Sequence, residues 1–554
     1  MLHSRWMQNH QPTGVIEMET KETTGAPNEI TRRQFLTTVG KLGGGAAVFG
    51  VMGTLGLLSP ETMKAAAYTP PGQNDLNLTK RNGKKVVILG AGVAGLTAAY
   101  ELGLAGYDCT VLEARTRSGG RAWSVRKGTA NTEVGGAKQI ARFGEDMYLN
   151  AGPMRIPQFH VTMEYIKKFG IPIEPFNNVN DHAYYYNENV GELSDRKIRK
   201  REAKADVRGY VSELMAKAVN QQGLDLPLTP EEKEKLVNYL RAEGALDKDL
   251  FYKGSSRGGY KDEPGSGLDA GVIRDPFSMK AILNAGFGNF FSNEYEYDQQ
   301  MMMFHPVGGM DAIPKAFESR LKGKIQFNAE AAEIKQSENG VTVAYKDLVT
   351  GRLNEAKGDF CICTIPLSVL KSIKADFSPE MKSAIDSVGY ASAGKIGLQF
   401  KRRFWEEDEQ IYGGNTLTNM DISSIYYPPT RYNDKKGLLL GYYAFGANAD
   451  KLGAMTYQER EAHALAQGAK IHPQYQKEFE ASFSVDWKRI KYNLGGWVSY
   501  TGDQRKTIYP TLCKPDRNVY LAGEHMSYIT AWQAGAIESA REVVTAIHER
   551  VMQS

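Results

Sequence analysis

The chain has 554 residues and carries 68 basic against 64 acidic side chains, a formal net charge of +4 at pH 7. This length is enough for about two to four domains. The small charge and the lack of a basic block with interleaved aromatic residues argue against nucleic acid as a partner. The four cysteines are few. Cys361 and Cys363 alternate along an apolar run, which predicts buried thiols rather than metal ligands.

The first 67 residues have the features of a targeting segment. Thr31–Leu36 (TRRQFL) resembles a twin-arginine motif, and Ala65–Ala67 offers small residues for a cleavage site. Glycine occupies six positions of the apolar run Leu42–Leu58, so we expect no stable membrane span after export. The sequence therefore predicts a signal over 1–67, a linker over 68–83, and twin-arginine export to an extracellular, periplasmic or cell-envelope location.

The segment Lys84–Gly120 has the order of a dinucleotide-binding βαβ unit. An apolar run over 86–89 predicts a buried parallel strand, a helix-forming run follows over 96–104, and a second strand is predicted over 109–112. The strand–helix–strand order is what such a unit requires. It predicts that the residues between the first strand and the helix bind a nucleotide.

Three glycines lie between this strand and helix in G-x-G-x-x-G spacing. Gly90 makes the tight turn, Gly92 lets the backbone approach a pyrophosphate at the helix N-terminus, and Gly95 allows close helix–strand packing. Glu113 ends the second strand, where it is placed to accept hydrogen bonds from ribose hydroxyls. An acid there disfavours a 2′-phosphate, so we do not expect NADP.

A loop rich in arginine and glycine follows the acid. Arg115, Arg117 and Arg121 flank Gly119 and Gly120. Glycines bring backbone close to a ligand, and guanidinium groups can pair with a pyrophosphate. The loop therefore adds to the predicted nucleotide site.

Helical periodicity dominates the polar middle of the chain. It predicts helices over 207–219 and 230–241, the second with Thr229 as N-cap and proline at the first helical position. The stretch 254–275 is rich in Gly, Asp and Ser, which predicts a long loop. A further helix is predicted over Tyr457–Ile471. We expect the first two helices to belong to a helical subdomain above the substrate entrance.

Near the C-terminus, Val519–Glu524 (VYLAGE) predicts a short strand ending in Gly-Glu, followed by Ala531–Ala536 (AWQAGA). Together with Lys84–Arg121 and the turn Glu133–Gly136, these segments resemble the flavin-contacting segments of the flavin-dependent amine oxidase family. The resemblance implies FAD. The residues expected to bind it are Gly90, Gly92, Ala94, Gly95, Glu113, Ala114, Arg115, Gly120, Arg121, Gly152, Pro153, Met154, Arg155, Ala331, Gly523, Glu524, Trp532 and Ala534.

The resemblance also implies the fold and the assembly. We expect an α/β and α+β architecture with a discontinuous Rossmann-like FAD-binding domain, a mixed-sheet substrate-binding domain, a helical subdomain, and a homodimer. The FAD should be non-covalent, because the stretch Leu494–Gly502, where relatives with covalent FAD carry a cysteine, has none. The expected boundaries are 84–136, 306–376 and 487–554 for the FAD-binding domain, 137–194 and 377–486 for the substrate-binding domain, and 195–305 for the helical subdomain.

The stretch Gly152–Pro157 (GPMRIP) resembles the segment in which L-amino-acid oxidases of this family hold the substrate carboxylate with an arginine, here Arg155. A planar guanidinium fork suits two carboxylate oxygens. The resemblance makes Tyr443 the second carboxylate donor, with Tyr442 left open as an alternative.

Four further residues take roles from the resemblance. Lys395 matches a lysine that holds a water near the flavin, and Trp532 matches a tryptophan beside it. The carbonyl of Ala531, where the family has glycine, would receive the substrate ammonium. Trp497 would line the side-chain pocket. Lys395 and Trp532 are thus the expected catalytic residues.

These residues predict the FAD-dependent conversion of an L-amino acid and O2 into a 2-oxo acid, ammonia and hydrogen peroxide. An amino-acid 2-monooxygenase, which would release an amide, shares the arginine, tyrosine and lysine and stays open. A mono- or polyamine oxidase is disfavoured by Arg155, since such substrates lack a carboxylate. A flavoprotein with only a structural or partner-binding role is disfavoured by the intact set of Lys395, Trp532 and Arg155.

Overall fold

The computed structural model describes residues 83–221, 223, 228–291 and 296–553. The expected signal over 1–67 and all of the linker except Gly83 lie outside the described residues, so both stay predictions. Within the described ranges, none of the helices has the length and apolar character that crossing a membrane would need.

A five-stranded parallel sheet forms the nucleotide-binding part of the fold. The predicted first and second strands pair in register from Lys85 with Asp108 to Leu89 with Leu112. The helix between them packs against the C-terminal helix in one apolar core. In spatial order the strands are Ile325–Gln326, Asp108–Leu112, Lys85–Leu89, Phe360–Cys363 and Val519–Leu521.

Strands from distant parts of the chain thus meet in one sheet, because its inner strands are apolar enough to be covered on both faces. Cys361 and Cys363 are fully buried in the fourth strand, as their apolar surroundings predict. The described residues contain no cluster of side chains that could hold a metal ion. The observed sheets and helices confirm the predicted Rossmann-like, mixed fold class, while the exact domain boundaries stay predictions.

A seven-stranded mixed sheet forms the second layer. Its longest pairing joins Ala393–Phe400 to Gly437–Phe445, with Lys395 opposite Tyr443. Every residue of Ala393–Phe400 is buried, which makes this strand the centre of a second core. In spatial order the strands are Phe479–Asp486, Ala393–Phe400, Gly437–Phe445, Ser424–Tyr426, Asn415–Thr418, Tyr184–Tyr186 and Ile198–Arg199.

The predicted helices of the middle region are present and longer than expected. They span Lys200–Asn220 and Pro230–Gly244. Thr229 caps the second helix in a capping box with Glu232, as predicted from Thr-Pro. The stretch 254–275, expected to be a loop, contains a small hairpin of Tyr260–Asp262 and Val272–Ile273. The helix Tyr457–Ile471 has the predicted bounds.

The remaining elements complete the layers around these two sheets. The other β-elements are a four-stranded sheet (Leu353–Gly358, Gly340–Asp347, Ala329–Ser337, Lys374–Ala375) and the pairs Met302–Pro306 with Ile173–Asn177, Gly389–Tyr390 with Val498–Ser499, Ser124–Arg126 with Tyr148–Asn150, and Ala130–Thr132 with Lys138–Ile140. The other α-helices are Val93–Leu104, Thr162–Phe169, Met279–Ala285, Ala312–Glu318, Leu367–Leu370, Pro379–Ser387, Phe404–Glu407, Gly446–Gly453, Tyr475–Glu478, Gly502–Thr507, Tyr509–Leu512 and Gln533–Gln553.

Candidate active site

A cavity of about 450 Å³ opens at the carboxyl ends of the parallel strands and extends to the mixed sheet. Ligands of doubly wound sheets bind at this edge. Most of the residues proposed from the sequence lie in the cavity wall, although they come from segments hundreds of residues apart. They are Gly90, Gly92, Ala94, Glu113, Ala114, Arg115, Gly120, Arg121, Gly152, Pro153, Ala331, Lys395, Tyr443, Trp497, Gly523, Glu524, Ala531 and Trp532.

The three glycines of the first turn are required for different reasons. Gly90 has φ of +100°, and a Cβ on Gly95 would lie 2.0 Å from the carbonyl oxygen of Gly90. Gly92 has an ordinary φ of −71°, and a Cβ added to it meets no neighbouring atom within 4 Å. Neither backbone strain nor protein packing therefore explains glycine at 92. A phosphate approaching the backbone at the helix N-terminus does.

Glu113 places a buried carboxylate at the end of the second strand. Its Oε2 accepts from the backbone N–H of Ala91 and its Oε1 from that of Arg115, both at 2.8 Å. These two bonds fix the carboxylate against the glycine turn and leave each oxygen with further acceptor capacity. Glu113 can therefore accept a ribose hydroxyl as predicted.

Two arginines of the loop that follows Glu113 donate hydrogen bonds to residues near the C-terminus. Arg121 donates from Nη1 to Oε1 of Glu524 and to the carbonyl of Gly496, both at 2.7 Å. Arg115 donates to Oδ1 of Asn493 at 2.7 Å. The arginines that the sequence predicts to bind a pyrophosphate thus join the N-terminal nucleotide-binding segment to the C-terminal one.

Lys395 is a buried amine in the cavity wall, with 1% of its surface exposed. Its Nζ donates to the carbonyls of Gly152 and Asn150 and lies 4.2 Å from the ring centroid of Tyr443. Burial, and the nearby charge of Arg155, hold the pKa of Lys395 well below its usual range. Both effects favour the neutral amine over the charged form.

The structure decides between the two tyrosines that the sequence left open. Tyr443 lies in the cavity wall, and burial raises its pKa to about 12. Tyr442 points to the opposite face of the strand, into the core of the mixed sheet. Successive side chains of a strand alternate between faces, so only Tyr443 can offer its hydroxyl to a ligand in the cavity.

Arg155 lies beside the cavity and not in its lining. Its guanidinium faces the rings of Tyr426 and Trp532, at 5.8 and 5.9 Å from their centroids. Nη2 donates to Oε1 of Gln299 at 3.1 Å, and the buried Nε has no hydrogen-bond partner. Among the described residues no carboxylate pairs with this arginine. Together with Lys395, it gives this end of the cavity an excess of basic groups.

The segment before the C-terminal helix forms part of the cavity wall and packs against Arg155 through Trp532. Ala531 has φ of +69°, and its N–H donates to Oε2 of Glu524 at 3.3 Å. This left-handed conformation costs an alanine roughly 1–2 kcal/mol relative to glycine. Glycine would adopt this conformation without that cost.

Aromatic rings form the part of the cavity around Trp497, which the sequence predicts to line the pocket for a substrate side chain. Trp497 packs edge-on against Phe445 at 5.6 Å between ring centroids, and Phe445 packs on Tyr443 at 4.4 Å. Trp487 also lines the cavity and donates its indole N–H to the carbonyl of Ala151 at 2.9 Å. An apolar group of a ligand would therefore meet ring faces here.

Residues 93–548 match the profile of the family described as flavin containing amine oxidoreductase. The chain belongs to this family. It is therefore a flavin-containing amine oxidoreductase, an enzyme class that uses a flavin cofactor.

Proteins similar to this flavin-containing amine oxidoreductase in sequence or in structure carry the names of amino-acid or amine oxidases. It is 30% identical over 475 residues to "Putative L-amino-acid oxidase YobN" of Bacillus subtilis (strain 168), covering 83% of this chain and 94% of the relative. It is 31% identical over 490 residues to an L-amino-acid oxidase of Sistrurus catenatus edwardsii, covering 84% and 87%. Cyclohexylamine oxidase from Brevibacterium oxydans IH-35A shares the fold, with a TM-score of 0.56 at 16% identity over 85% of this chain and all of that one.

Several residues expected to contact the cofactor of this oxidoreductase lie outside the cavity wall. Gly95 packs against the backbone of Gly90, and Ala534 lies in the apolar core beneath the C-terminal helix. Met154 packs in the core behind the cavity, while the guanidinium of Arg155 faces the rings of Tyr426 and Trp532. Gly95, Met154 and Ala534 each follow a residue that does line the cavity, so the local backbone turns them away.

The turn Glu133–Gly136 is also not where the resemblance suggested. Glu133 is buried and accepts from Nη1 and Nη2 of Arg460 at 2.9 and 2.8 Å, and the turn does not line the cavity. The segment Ala151–Pro153 does line the cavity, and a Cβ on Gly152 would lie 2.0 Å from the carbonyl oxygen of Arg121. The sequence interpretation of 133–136 is therefore corrected.

Sequence reasoning missed Thr364 and Gln299. Thr364 follows the strand Phe360–Cys363, and its Oγ1 donates to the carbonyl of Leu89 at 2.8 Å in the cavity wall. The rule that ligands meet the carboxyl ends of parallel strands could have found it. Gln299 lies in an irregular segment with no motif, and only its contact with Arg155 marks it.

Proposed function

We propose that this flavin amine oxidoreductase is an FAD-dependent L-amino-acid oxidase that forms 2-oxo acids, ammonia and hydrogen peroxide. The observation that carries this proposal is the guanidinium of Arg155, half-buried between two rings and unpaired with any carboxylate of the described residues. A partly buried cation without an anion is costly. A substrate carboxylate would supply that anion, whereas a simple amine would leave it missing.

The residues around Arg155 suit the remaining groups of an amino acid. The hydroxyl of Tyr443 is a second donor for the carboxylate, and its raised pKa keeps it protonated. The carbonyl of Ala531 is the acceptor for the ammonium group. Three fixed contacts define the orientation of a chiral centre, and orientation can supply a large part of the rate enhancement.

The cofactor we propose is non-covalent FAD. The turn at Gly92 leaves room for a phosphate, and Glu113 is placed for a ribose. FAD held there would supply the electron acceptor for oxidation of the substrate Cα–N bond, with dioxygen as the final oxidant. Non-covalent attachment is supported by the described cavity wall, which includes no cysteine or histidine.

We propose that Lys395 holds a water molecule and accepts a proton during the reaction. Its lowered pKa lets the neutral amine accept a proton, and the carbonyls of Asn150 and Gly152 fix its direction. The resulting ammonium would be favoured next to any negative charge that forms in the cavity. The aromatic side chains of the cavity wall would also exclude water from the bound substrate.

The decisive experiment follows the visible flavin band anaerobically with L-amino acids, D-amino acids and simple amines. Bleaching by L-amino acids alone, with equal amounts of peroxide and 2-oxo acid after air is admitted, is the expected result. An amide with carbon dioxide would identify the monooxygenase, and faster bleaching by an amine without a carboxylate would identify an amine oxidase. A flavin that none of them bleaches would leave a binding module.

Arg155 is tested by Arg155→Ala, with Arg155→Lys as the comparison that keeps the charge but loses the fork. We expect Arg155→Ala to raise KM for L-amino acids by about 100-fold or more, as loss of a charged contact of about 3 kcal/mol implies. The bound flavin should be unchanged. An unaltered KM would remove Arg155 from the substrate site and the proposal with it.

We further propose that the enzyme is exported by the twin-arginine route and acts as a homodimer outside the cytoplasm. The motif at Arg32 and Arg33 supports export, and the family resemblance supports the dimer. Replacing both arginines by lysine should keep the flavoprotein in the cytoplasmic fraction. Sedimentation equilibrium of the mature protein would test the dimer, which a mass near that of one chain would exclude.

A further inference from the structure

Gln299 holds the guanidinium of Arg155 through a neutral acceptor. Its Oε1 accepts from Nη2 of Arg155 at 3.1 Å and from Nδ2 of Asn178 at 3.2 Å. Two donors on one oxygen fix which end of the amide faces Arg155. Gln299 thus uses one N–H of Arg155 and leaves the positive charge uncompensated.

Two of the three side chains lie beside paired backbone. Ile156, next to Arg155, exchanges two backbone hydrogen bonds with Phe304 at 2.7 and 3.0 Å. The strand Met302–Pro306 then pairs with Ile173–Asn177, and the N–H of Asn178 donates to the carbonyl of Met301 at 2.9 Å. Gln299 lies in the irregular segment just before this strand, where its N–H donates to the carbonyl of Glu296 at 2.8 Å. Strand pairing therefore fixes Arg155 and Asn178, and Gln299 contacts both through its side chain.

We infer that Gln299, held by Asn178, is a positioning and specificity-determining residue that orients Arg155 while keeping its charge available to a substrate carboxylate. This inference rests on the proposed function. A glutamate of the same shape at 299 would pair with Arg155 and act as a built-in competitor of the substrate, because carboxylate–guanidinium pairs are stronger than amide–guanidinium ones. Selection for a carboxylate thus depends on an amide at this position.

The test measures carboxylate binding without turnover. Benzoate, which has a carboxylate but no amine to oxidise, is titrated calorimetrically into the purified holoenzyme and its variants. Gln299→Glu should raise the benzoate Kd by at least about tenfold, the effect of losing a charge-assisted contact. Gln299→Met, which removes the acceptor without adding a charge, should raise it less.

The matched control is Gln158→Glu. Gln158 is exposed and three positions from Arg155, so this variant adds the same charge nearby without the contact. Its benzoate Kd should stay within about twofold of the wild-type value, since exposed charges are well screened. Turnover gives a second readout: Gln299→Glu should raise KM for L-amino acids, whereas Gln158→Glu should leave it unchanged.

The outcomes separate this inference from the proposed function. A wild-type enzyme that binds no benzoate and oxidises only simple amines would overturn the proposed function and the inference together. A wild-type enzyme that oxidises L-amino acids, with equal benzoate Kd values for the Glu and Met variants or an unchanged value for Glu, would overturn the inference alone. If the Glu variant does not fold, a Met variant with unchanged Kd and KM overturns it equally.

Discussion

Lys395 shows how a single side chain acquires its chemistry from burial. Its amine lies 1% exposed on a strand that is buried along its whole length, with Arg155 as the charged neighbour. Both effects favour the neutral form. The same lysine at a surface strand end would be a solvated cation, and the sequence alone does not distinguish the two.

This lowered pKa makes the stability of the protein depend on pH in a defined direction. Between the folded-state pKa of Lys395 and the ordinary lysine value of about 10.4, the unfolded chain binds more protons, so this group's contribution to stability rises with pH. Lys395→Met removes that dependence. The difference in Tm, variant minus wild type, should therefore fall as pH rises from 7 to 10. A constant difference would mean that Lys395 is charged in the folded state.

Gly92 and Gly95 provide a matched pair of substitutions. Gly92→Ala places its methyl group in the open cavity, so we expect normal folding of the apoprotein but a large loss of bound flavin. Gly95→Ala brings a methyl group 2.0 Å from the carbonyl of Gly90, so helix and strand must separate. It should lower the Tm of the apoprotein as well, by an overpacking cost of about 1–3 kcal/mol. Equal flavin content in Gly92→Ala and wild type would contradict the phosphate role of the turn.

At the scale of elements, a buried ion pair joins a hairpin to a helix. Glu133 lies in the turn between Ala130–Thr132 and Lys138–Ile140, and Arg460 lies in the helix Tyr457–Ile471; each side chain is 1% exposed. Arg460 also donates to the carbonyls of Leu452 and Gly453. This network fixes the helix against the end of the strand Phe479–Asp486, because Glu133 accepts the N–H of Asp486 as well.

Breaking this pair should be far more costly than breaking an exposed one. Arg460→Ala leaves the buried carboxylate of Glu133 without its partner, and we expect a loss of about 3–5 kcal/mol in the free energy of unfolding. Lys235→Ala is the control, since Lys235 pairs with Glu231 at the surface and its loss should cost at most about 1 kcal/mol. Urea unfolding followed by tryptophan fluorescence measures both. Similar midpoints for the two variants would show that the buried pair has no special weight.

At the scale of the whole molecule, the cavity is closed by segments from both ends of the described chain. The ion pair between Arg121 and Glu524 and the bond from Arg115 to Asn493 cross it. A ligand in the cavity contacts all of these segments at once. Its binding energy should therefore appear as stability of the entire fold, by RT ln(1 + [L]/Kd).

Removal and return of the flavin tests this coupling. Mild acid and high salt should release the cofactor intact, and denaturation of the holoenzyme should leave no flavin on the chain. FAD added back at 100 times its Kd should stabilise the apoprotein by about 2.7 kcal/mol. FMN, which lacks the second nucleotide, should stabilise it much less. Flavin that stays with the denatured chain, or equal effects of FMN and FAD, would refute the non-covalent dinucleotide assignment.

The sequence by itself determined the elements whose signals are local. Strand 85–89, its glycine turn, the helix after it and the capped helices at Pro230 and Tyr457 all follow from hydrophobic period, turn residues and caps within a short window. Family resemblance added Arg155, Lys395 and Trp532. It erred at Glu133–Gly136, because a Val-Gly-Gly turn carries no information about which buried partner its neighbouring glutamate finds.

The tertiary structure decided what depends on distant partners. It chose Tyr443 over Tyr442 through the strand's pairing with Ala393–Phe400, which sets the face each side chain occupies. It turned Met154 and Ala534 into core residues and brought Gln299 to Arg155. The physical reason is that the facing of a strand, the neutrality of a buried lysine and the lack of a counter-ion are properties of packing between segments far apart in the chain.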